Sequence, residues 1–268
     1  MSLDQASGLR RMLGRPAIRV LPLVSSMDGA AQAALGLRLA AALSRLGNRV
    51  VVLDASRGEV AAALGMAQRS DLIQLLEGEK EFAEVALAGP EGLRVVPAAE
   101  GIAALAQAGN AGFDDLFGAF ASLRDPADLV LLNCAPGDAR AACCAARNGR
   151  ELVLALHTDA ESVTGAYALI KSALRHHGQH AFRLLFNAAS NAEAGPLLAR
   201  MRAAALRFLE VELRSGGAIP TAGAAEASRA IANASYGWNL PVFARPGPAS
   251  APAHPNPADG GQPRARLA

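Results

Sequence analysis

Short apolar runs, each about the length of one strand, alternate with amphipathic helical stretches along most of this chain. That alternation constrains the fold more than any other feature. Arg49–Asp54 carries VVVLD, Asp128–Asn133 reads DLVLLN, and Ala181–Asn187 reads AFRLLFN, with further strands predicted at Ala17–Val24, Leu93–Pro97, Glu151–His157 and Gly216–Pro220. Strands that are apolar on nearly every residue are buried on both faces, which calls for a parallel sheet covered by helices on each side. The helices are predicted at Ala30–Leu46, Asp71–Leu76, Phe113–Leu123, Ala139–Asn148, Ser162–His176, Ala192–Phe208 and Ala224–Ala234. The expected fold class is therefore α/β, a doubly wound, mostly parallel sheet over residues 16–245. Pro22 lies inside the first strand, where its missing N–H predicts a bulge. A short helix over residues 3–13, with Leu3, Ala6, Leu9 and Leu13 on one face, precedes the domain. Residues 246–268 hold six prolines and three glycines and read as a disordered tail.

Composition closes off several classes. Of the 268 residues 51% are hydrophobic and the formal net charge is only +2, which excludes a wholly disordered chain and gives no argument for nucleic acid as a partner. No run of about 18 apolar residues is present to span a membrane. The opening residues, MSLDQASGLRRMLGRP, bear charges of both signs before any apolar run and do not read as a secretory signal. Cys134, Cys143 and Cys144 match neither a disulfide framework nor a zinc spacing, and read as small buried thiols of a reduced, cytoplasmic protein. The basic residues are almost all arginine, the lysines being Lys80 and Lys171 alone.

In a doubly wound fold the first strand-to-helix turn is the usual phosphate cradle, because backbone N–H groups and a helix N-terminus converge there. A working P-loop needs glycines that let the backbone curl around phosphate, a lysine that reaches the terminal phosphates and a Ser/Thr hydroxyl for magnesium. Here the turn reads Ser25-Ser26-Met27-Asp28-Gly29-Ala30-Ala31-Gln32-Ala33, with one glycine and no lysine. Lys80 lies in the acidic segment EGEKEF and Lys171 inside a later helix, so neither replaces the missing cation. Asp28 adds negative charge where phosphates would sit.

The topology, the segment LAAALSRLGNRVVVLDA and the helix TGAYALIK resemble the MinD/ParA branch of P-loop NTPases. The N-terminal Asp4-Gln5-Ala6-Ser7-Gly8-Leu9-Arg10 is similar to the DQAxxLR motif of FlhG/FleN-type regulators of flagellar number and placement. The resemblance covers about residues 3–235 and implies the MinD/ParA fold. Such proteins carry GKGGVGKT at the first turn. Against it, Ser26 takes the place of the first glycine, Met27 of the signature lysine, Asp28 and Ala31 of glycines, Gln32 of the phosphate-binding lysine and Ala33 of the magnesium-binding threonine; Gly29 is retained. Asp54 is kept at the end of the second strand, but Ser56 replaces the family's second aspartate there. Asn133 stands in the Walker-B-like position, Gly165 replaces the aspartate of TDAYALIK, and Asn187 matches an asparagine that contacts the base.

An intact family member would use ATP and magnesium. With both lysines, the hydroxyl and two carboxylates replaced, the phosphoryl group has no source of charge compensation or positioning. The expectation is a pseudo-ATPase with no cofactor and no metal, in which Ser26, Met27, Asp28, Gly29, Ala31, Gln32, Ala33, Asp54, Asn133 and Asn187 form a relic site. The N-terminal helix needs no ATP. The resemblance implies that it stimulates an FlhF-type GTPase, with Gln5 orienting water or contacting nucleotide in trans, Asp4 capping or pairing, Leu9 (with Leu13) anchoring and Arg10 making a charge contact. From pattern alone the same residues also fit an ordinary amphipathic helix packed on its own domain.

Other features carry less. His176, His177 and His180 (HHGQH) invite a metal reading, but Gly178 breaks the helix among them and cationic groups at a helix C-terminus are ordinary. Glu79, Lys80 and Glu81 read as a solvated turn, and Tyr236 and Trp238 as packing residues or a partner patch. Residues 224–245, with only Arg229 and Arg245 basic, make a poor membrane-targeting helix. The resulting expectation is a cytoplasmic, non-hydrolysing regulator of flagellum number, placement or biosynthesis. It would be recruited to the cell pole, act by protein contact and associate weakly or not at all with membrane. Flagellar switch proteins and transcriptional regulators are further partner classes. The rival readings are a divergent but active ATPase and an accessory of another surface machine such as cellulose secretion.

Overall fold

A computed structural model describes residues 18–109, 111–123, 126–146 and 151–220. The N-terminal helix with Asp4, Gln5, Leu9 and Arg10, the helix expected at 224–234, Tyr236, Trp238 and the Pro-rich tail lie outside the described residues.

The strands are β1 (Arg19–Ser25), β2 (Val50–Ala55), β3 (Leu87–Ala88), β4 (Arg94–Pro97), β5 (Leu129–Cys134), β6 (Leu152–Leu156), β7 (Phe182–Asn187) and β8 (Leu213–Ile219). They form one sheet in the order β3-β4-β2-β5-β1-β6-β7-β8. Every pairing is parallel except that of the two-residue edge strand β3 with β4. The helices are α1 (Gly29–Arg45), α2 (Glu59–Ala63), α3 (Leu72–Leu76), α4 (Phe82–Val85), α5 (Ala99–Ala108), α6 (Ala111–Ser122), α7 (Ala139–Ala146), α8 (Ala160–His177) and α9 (Asn191–Leu209).

The period of two along the strands splits the core into two layers. Val51 and Leu53 join the layer packed by α5–α9, while Val50 and Val52 join the layer packed by α1 and α2. The sheet is thus covered on both faces, as continuous apolar strands require. Strand order reverses at β1, which lies between β5 and β6, so the loop after β1 opens at a switch point where open α/β sheets bind ligands.

Pro22 makes no bulge. It stays in register opposite Leu132, and pairing of β1 with β6 begins only at Leu23, so a strand-internal proline is accommodated near the start of that ladder. The Lys80 turn is solvated as expected, with Glu79 and Glu81 exposed and the Lys80 ammonium donating to Ser70 Oγ at 2.6 Å. Gly178 ends α8 in the left-handed conformation at φ 62°, beside Arg175, His176 and His177 in the last turn.

Candidate functional site: the loop between the first strand and helix

Asp28 begins the site. It caps α1, its carboxylate accepting the Ala31 N–H at 2.8 Å, so an anion supplied by the chain already sits on the helix N-terminus. The expected negative charge is present, but as a cap. The Gln32 N–H is taken by the Asp28 carbonyl at 3.0 Å. The Met27 N–H turns inward to Ser25 Oγ at 3.1 Å, and Met27 is itself buried. Three of the amides that a phosphate cradle would offer are therefore engaged within the loop.

Gln32 is fully buried and every polar atom of its carboxamide is engaged. Its oxygen accepts from Ser25 Oγ at 2.6 Å, and its nitrogen donates to Asn133 Oδ1 at 3.0 Å and to the Cys134 carbonyl at 2.5 Å. This network ties β1, α1 and the end of β5 together without a formal charge. Asn133 Nδ2 is buried without a hydrogen-bond partner. Gly36, one turn along α1, lets the helix approach: a Cβ there would stand 3.3 Å from Asn133 Oδ1.

Asp54 has a structural role. Its buried carboxylate accepts from Ser56 N (3.1 Å) and Ser56 Oγ, and from Val60 N (3.0 Å) and Ala61 N (3.3 Å) in the first turn of α2. It thereby caps a helix whose own N-cap, Gly58, has no side chain to do so. Ser56, in place of the family's second aspartate, serves the first one.

The loop is also stapled to α8. Ser26 Oγ donates to the Ser162 carbonyl at 2.8 Å, and Ser162 Oγ in turn accepts from His157 N at 2.8 Å. The Ser162 N–H bonds the exposed carboxylate of Asp159 at 2.8 Å, and this bond holds the Asp159 pKa below the usual range. A Cβ on Gly165 would stand 2.6 Å from Ser26 Cβ, so a serine in the loop demands a glycine on the helix. A mostly apolar cleft of about 490 Å³, lined by Met27, Pro136, Gly137, Gly165 and Leu169 among others, lies beside this contact.

Asn187 is occupied on both sides: its oxygen accepts from Arg38 Nη2 at 2.8 Å and its nitrogen lies 3.2 Å from His157 Nδ1. The Arg38 guanidinium is half-buried, and burial lowers its pKa. The structure thus gathers Ser26, Met27, Asp28, Gly29, Gln32 and Asn133 around one loop, with Asp54 spent on α2 and Asn187 on Arg38. Sequence reasoning missed Ser25, Arg38, Ser162 and Glu59, whose carboxylate stands against the start of α1, a Cβ on Gly29 lying 2.9 Å from Glu59 Oε1. Ser25 opens the turn but matches no P-loop residue, and the other three sit in no motif.

The three thiols are not in disulfides. Cys134 and Cys143 are buried, and burial pushes the Cys143 pKa up to about 12 and that of Cys134 well above its ordinary value.

No protein-family model matches the sequence. Antiactivator FleN of Pseudomonas aeruginosa is 33% identical over 215 residues, covering 79% of this chain and 77% of FleN. The chain belongs to the FlhG/FleN-type branch of the MinD/ParA family. Solved structures agree on the fold of this branch. Cell division protein MinD of Aquifex aeolicus superposes with a TM-score of 0.54 at 18% identity, over 79% of this chain and 86% of that one. MinD of Pyrococcus horikoshii complexed with Mg-ADP gives 0.53 at 19% identity, over 80% and 93%. A Cyanothece McdA–ATP complex gives 0.58 at 13% identity, over 84% and 97%. Among the described residues of this FleN-family chain, no helix is long and apolar enough to cross a membrane.

Proposed function

We propose that this chain is a FleN-family regulator that works by protein contact without an ATP cycle. The observation that carries the reading is the buried Gln32 carboxamide: where the family places its phosphate-binding lysine, this chain has a neutral side chain whose polar atoms are all bonded inside the fold. Residues 25–33 contain no cation, Ala33 offers no hydroxyl to magnesium, and the Asp28 carboxylate repels an incoming phosphate. These residues do not fit a magnesium-bound triphosphate, and phosphoryl transfer depends on such positioning and charge compensation.

The relative's description as an antiactivator points to restraint of a transcriptional activator as one role of this chain, within control of flagellar number. The segment Asp4-Gln5-Ala6-Ser7-Gly8-Leu9-Arg10 gives it a second: stimulation of an FlhF-type GTPase, with Gln5 acting in trans on the nucleotide and Leu9 and Arg10 anchoring the contact. Both roles are exercised in the cytoplasm and at the pole.

GTP turnover by an FlhF-type GTPase, with and without the full chain, tests the proposal. Acceleration that Gln5→Ala abolishes, with ATP hydrolysis at background, supports it; an unaffected GTPase rate removes the activator role, and magnesium-dependent ATP turnover removes the pseudo-ATPase role.

A further inference from the structure

We propose that a closed ring of hydrogen bonds around the carboxyl ends of β1, β6 and β7 acts as one cooperative latch. It holds this end of the domain in a single conformation, so that the state offered to partners is constitutive and not switched. The constitutive state rests on the reading above that no ATP cycle operates in this chain; the latch itself rests on the bonds alone.

The ring begins and ends on α1. Arg38 Nη2 donates to Asn187 Oδ1, at the end of β7, at 2.8 Å. Asn187 Nδ2 lies 3.2 Å from Nδ1 of His157, the residue that follows β6. The His157 N–H donates to Ser162 Oγ in the first turn of α8 at 2.8 Å, and the Ser162 carbonyl accepts from Ser26 Oγ at 2.8 Å. The backbone carries the path from Ser26 to Ser25, whose Oγ donates to Gln32 Oε1 at 2.6 Å and so returns it to α1. Spurs tie the ring to β5 and the loop beyond it: Gln32 Nε2 donates to Asn133 and Cys134, and the Gly137 N–H to the Ser25 carbonyl at 3.0 Å.

Donor and acceptor order allows the ring only one sense. A guanidinium only donates, so Asn187 turns its oxygen to Arg38. The Asn187 nitrogen then only donates, and His157 Nδ1 accepts. Ser25 Oγ accepts the Met27 N–H at 3.1 Å, which leaves its own hydrogen for Gln32. Neither carboxamide can be flipped without setting like against like. Ser25, Gln32 and Ser162 are buried, where an unmade bond is most costly and neighbouring bonds strengthen one another.

Small residues bring the elements within reach. A Cβ on Gly36 of α1 would stand 3.3 Å from Asn133 Oδ1, and one on Gly165 of α8 2.6 Å from Ser26 Cβ. The same bonds thus seat α1, α8 and the ends of β6 and β7. None of these elements can shift without breaking several bonds at once, which is the physical content of a cooperative opening unit.

Amide hydrogen exchange of the full chain, read by mass spectrometry, tests the latch. Asn187→Asp keeps an acceptor for Arg38 and adds an ion pair to it, but offers His157 no donor. Cutting the ring there should raise exchange about tenfold or more in residues 157–163 and also in 25–33, none of which except His157 bonds Asn187. Ser26→Ala cuts the ring on its far side, at a half-buried position, and should raise exchange at residues 186–190 in turn. It gives the same reading from the other direction if Asn187→Asp does not fold. Exchange in Leu129–Leu132, in the core, should stay unchanged in both variants. A rise confined to the neighbours of the substituted residue, a fall caused by the new Arg38 ion pair alone, or a rise shared equally by Leu129–Leu132 overturns the latch. ATP with magnesium should leave exchange in both segments of the unchanged chain as it is. Protection there overturns the constitutive state, and with it the absence of an ATP cycle, while the variants judge the latch separately.

Discussion

Gln32 Nε2 donates to Asn133 Oδ1 at 3.0 Å, joining by a neutral hydrogen bond two positions that the sequence resemblance aligns with a phosphate-binding lysine and a strand-end aspartate. Both side chains are neutral carboxamides, and they form a buried bridge between α1 and β5. A buried Lys–Asp pair is costly to desolvate and is retained where the charges are used. The neutral Gln32–Asn133 pair links α1 and β5 at lower desolvation cost than an ion pair would.

The pair should behave as a coupled unit. Gln32→Leu leaves Ser25 Oγ and Asn133 Oδ1 without their partner and should cost about 1–3 kcal/mol in urea unfolding. Gln32→Lys alone buries an unpaired ammonium and should cost about 3–5 kcal/mol. Adding Asn133→Asp to Gln32→Lys should recover part of that loss, with a favourable coupling of about 0.5–3 kcal/mol in a double-mutant cycle. Additive effects would show that the two side chains do not interact.

Ser26 and Gly165 should show reciprocal size dependence. Gly165→Ala drives a Cβ to within 2.6 Å of Ser26 Cβ and should destabilise the fold by about 1–3 kcal/mol. Ser26→Gly alone removes the bond to the Ser162 carbonyl and should cost about 0.5–1.5 kcal/mol. Combined, the two should be less harmful than their sum, because the glycine in the loop makes the room that the alanine needs. Unfolding midpoints of the three variants check this.

The fold was legible wherever hydrophobic period and local punctuation agreed. β2 and α1 were read to within about a residue, since VVVLD and an Ala/Leu helix closed by Gly47-Asn48 carry their own signals. Helix α5 was passed over because its N-cap, Ala98, makes no side-chain cap bond and so leaves no start signal. Helix α2 was missed because its cap is Asp54, which precedes it by a turn of chain. That residues 25–33 hold one glycine and no lysine or threonine could be read directly. The long-range contacts around this loop could not, because Gln32–Asn133, Ser26–Ser162 and Arg38–Asn187 are separated by 101, 136 and 149 residues. No local pattern encodes such contacts.

The thiols should report burial through pH. The Cys143 pKa, pushed up to about 12 by burial, lies above that of an unfolded cysteine, about 8.5. Its contribution to stability is therefore complete below the unfolded value and is lost as pH rises toward the folded one. Alkaline unfolding should steepen across that window, and Cys143→Ala should flatten it. In the native protein at pH 8, Ellman's reagent should react first with Cys144, which is half-buried, and with Cys134 and Cys143 only as fast as the domain opens.

The most direct test of the central claim is a calorimetric titration of the full chain with ATP in the presence and absence of magnesium. The buried, fully bonded Gln32 and the Asp28 cap predict no magnesium-dependent heat and no saturable binding at millimolar ATP. A saturable isotherm that requires magnesium would contradict the account.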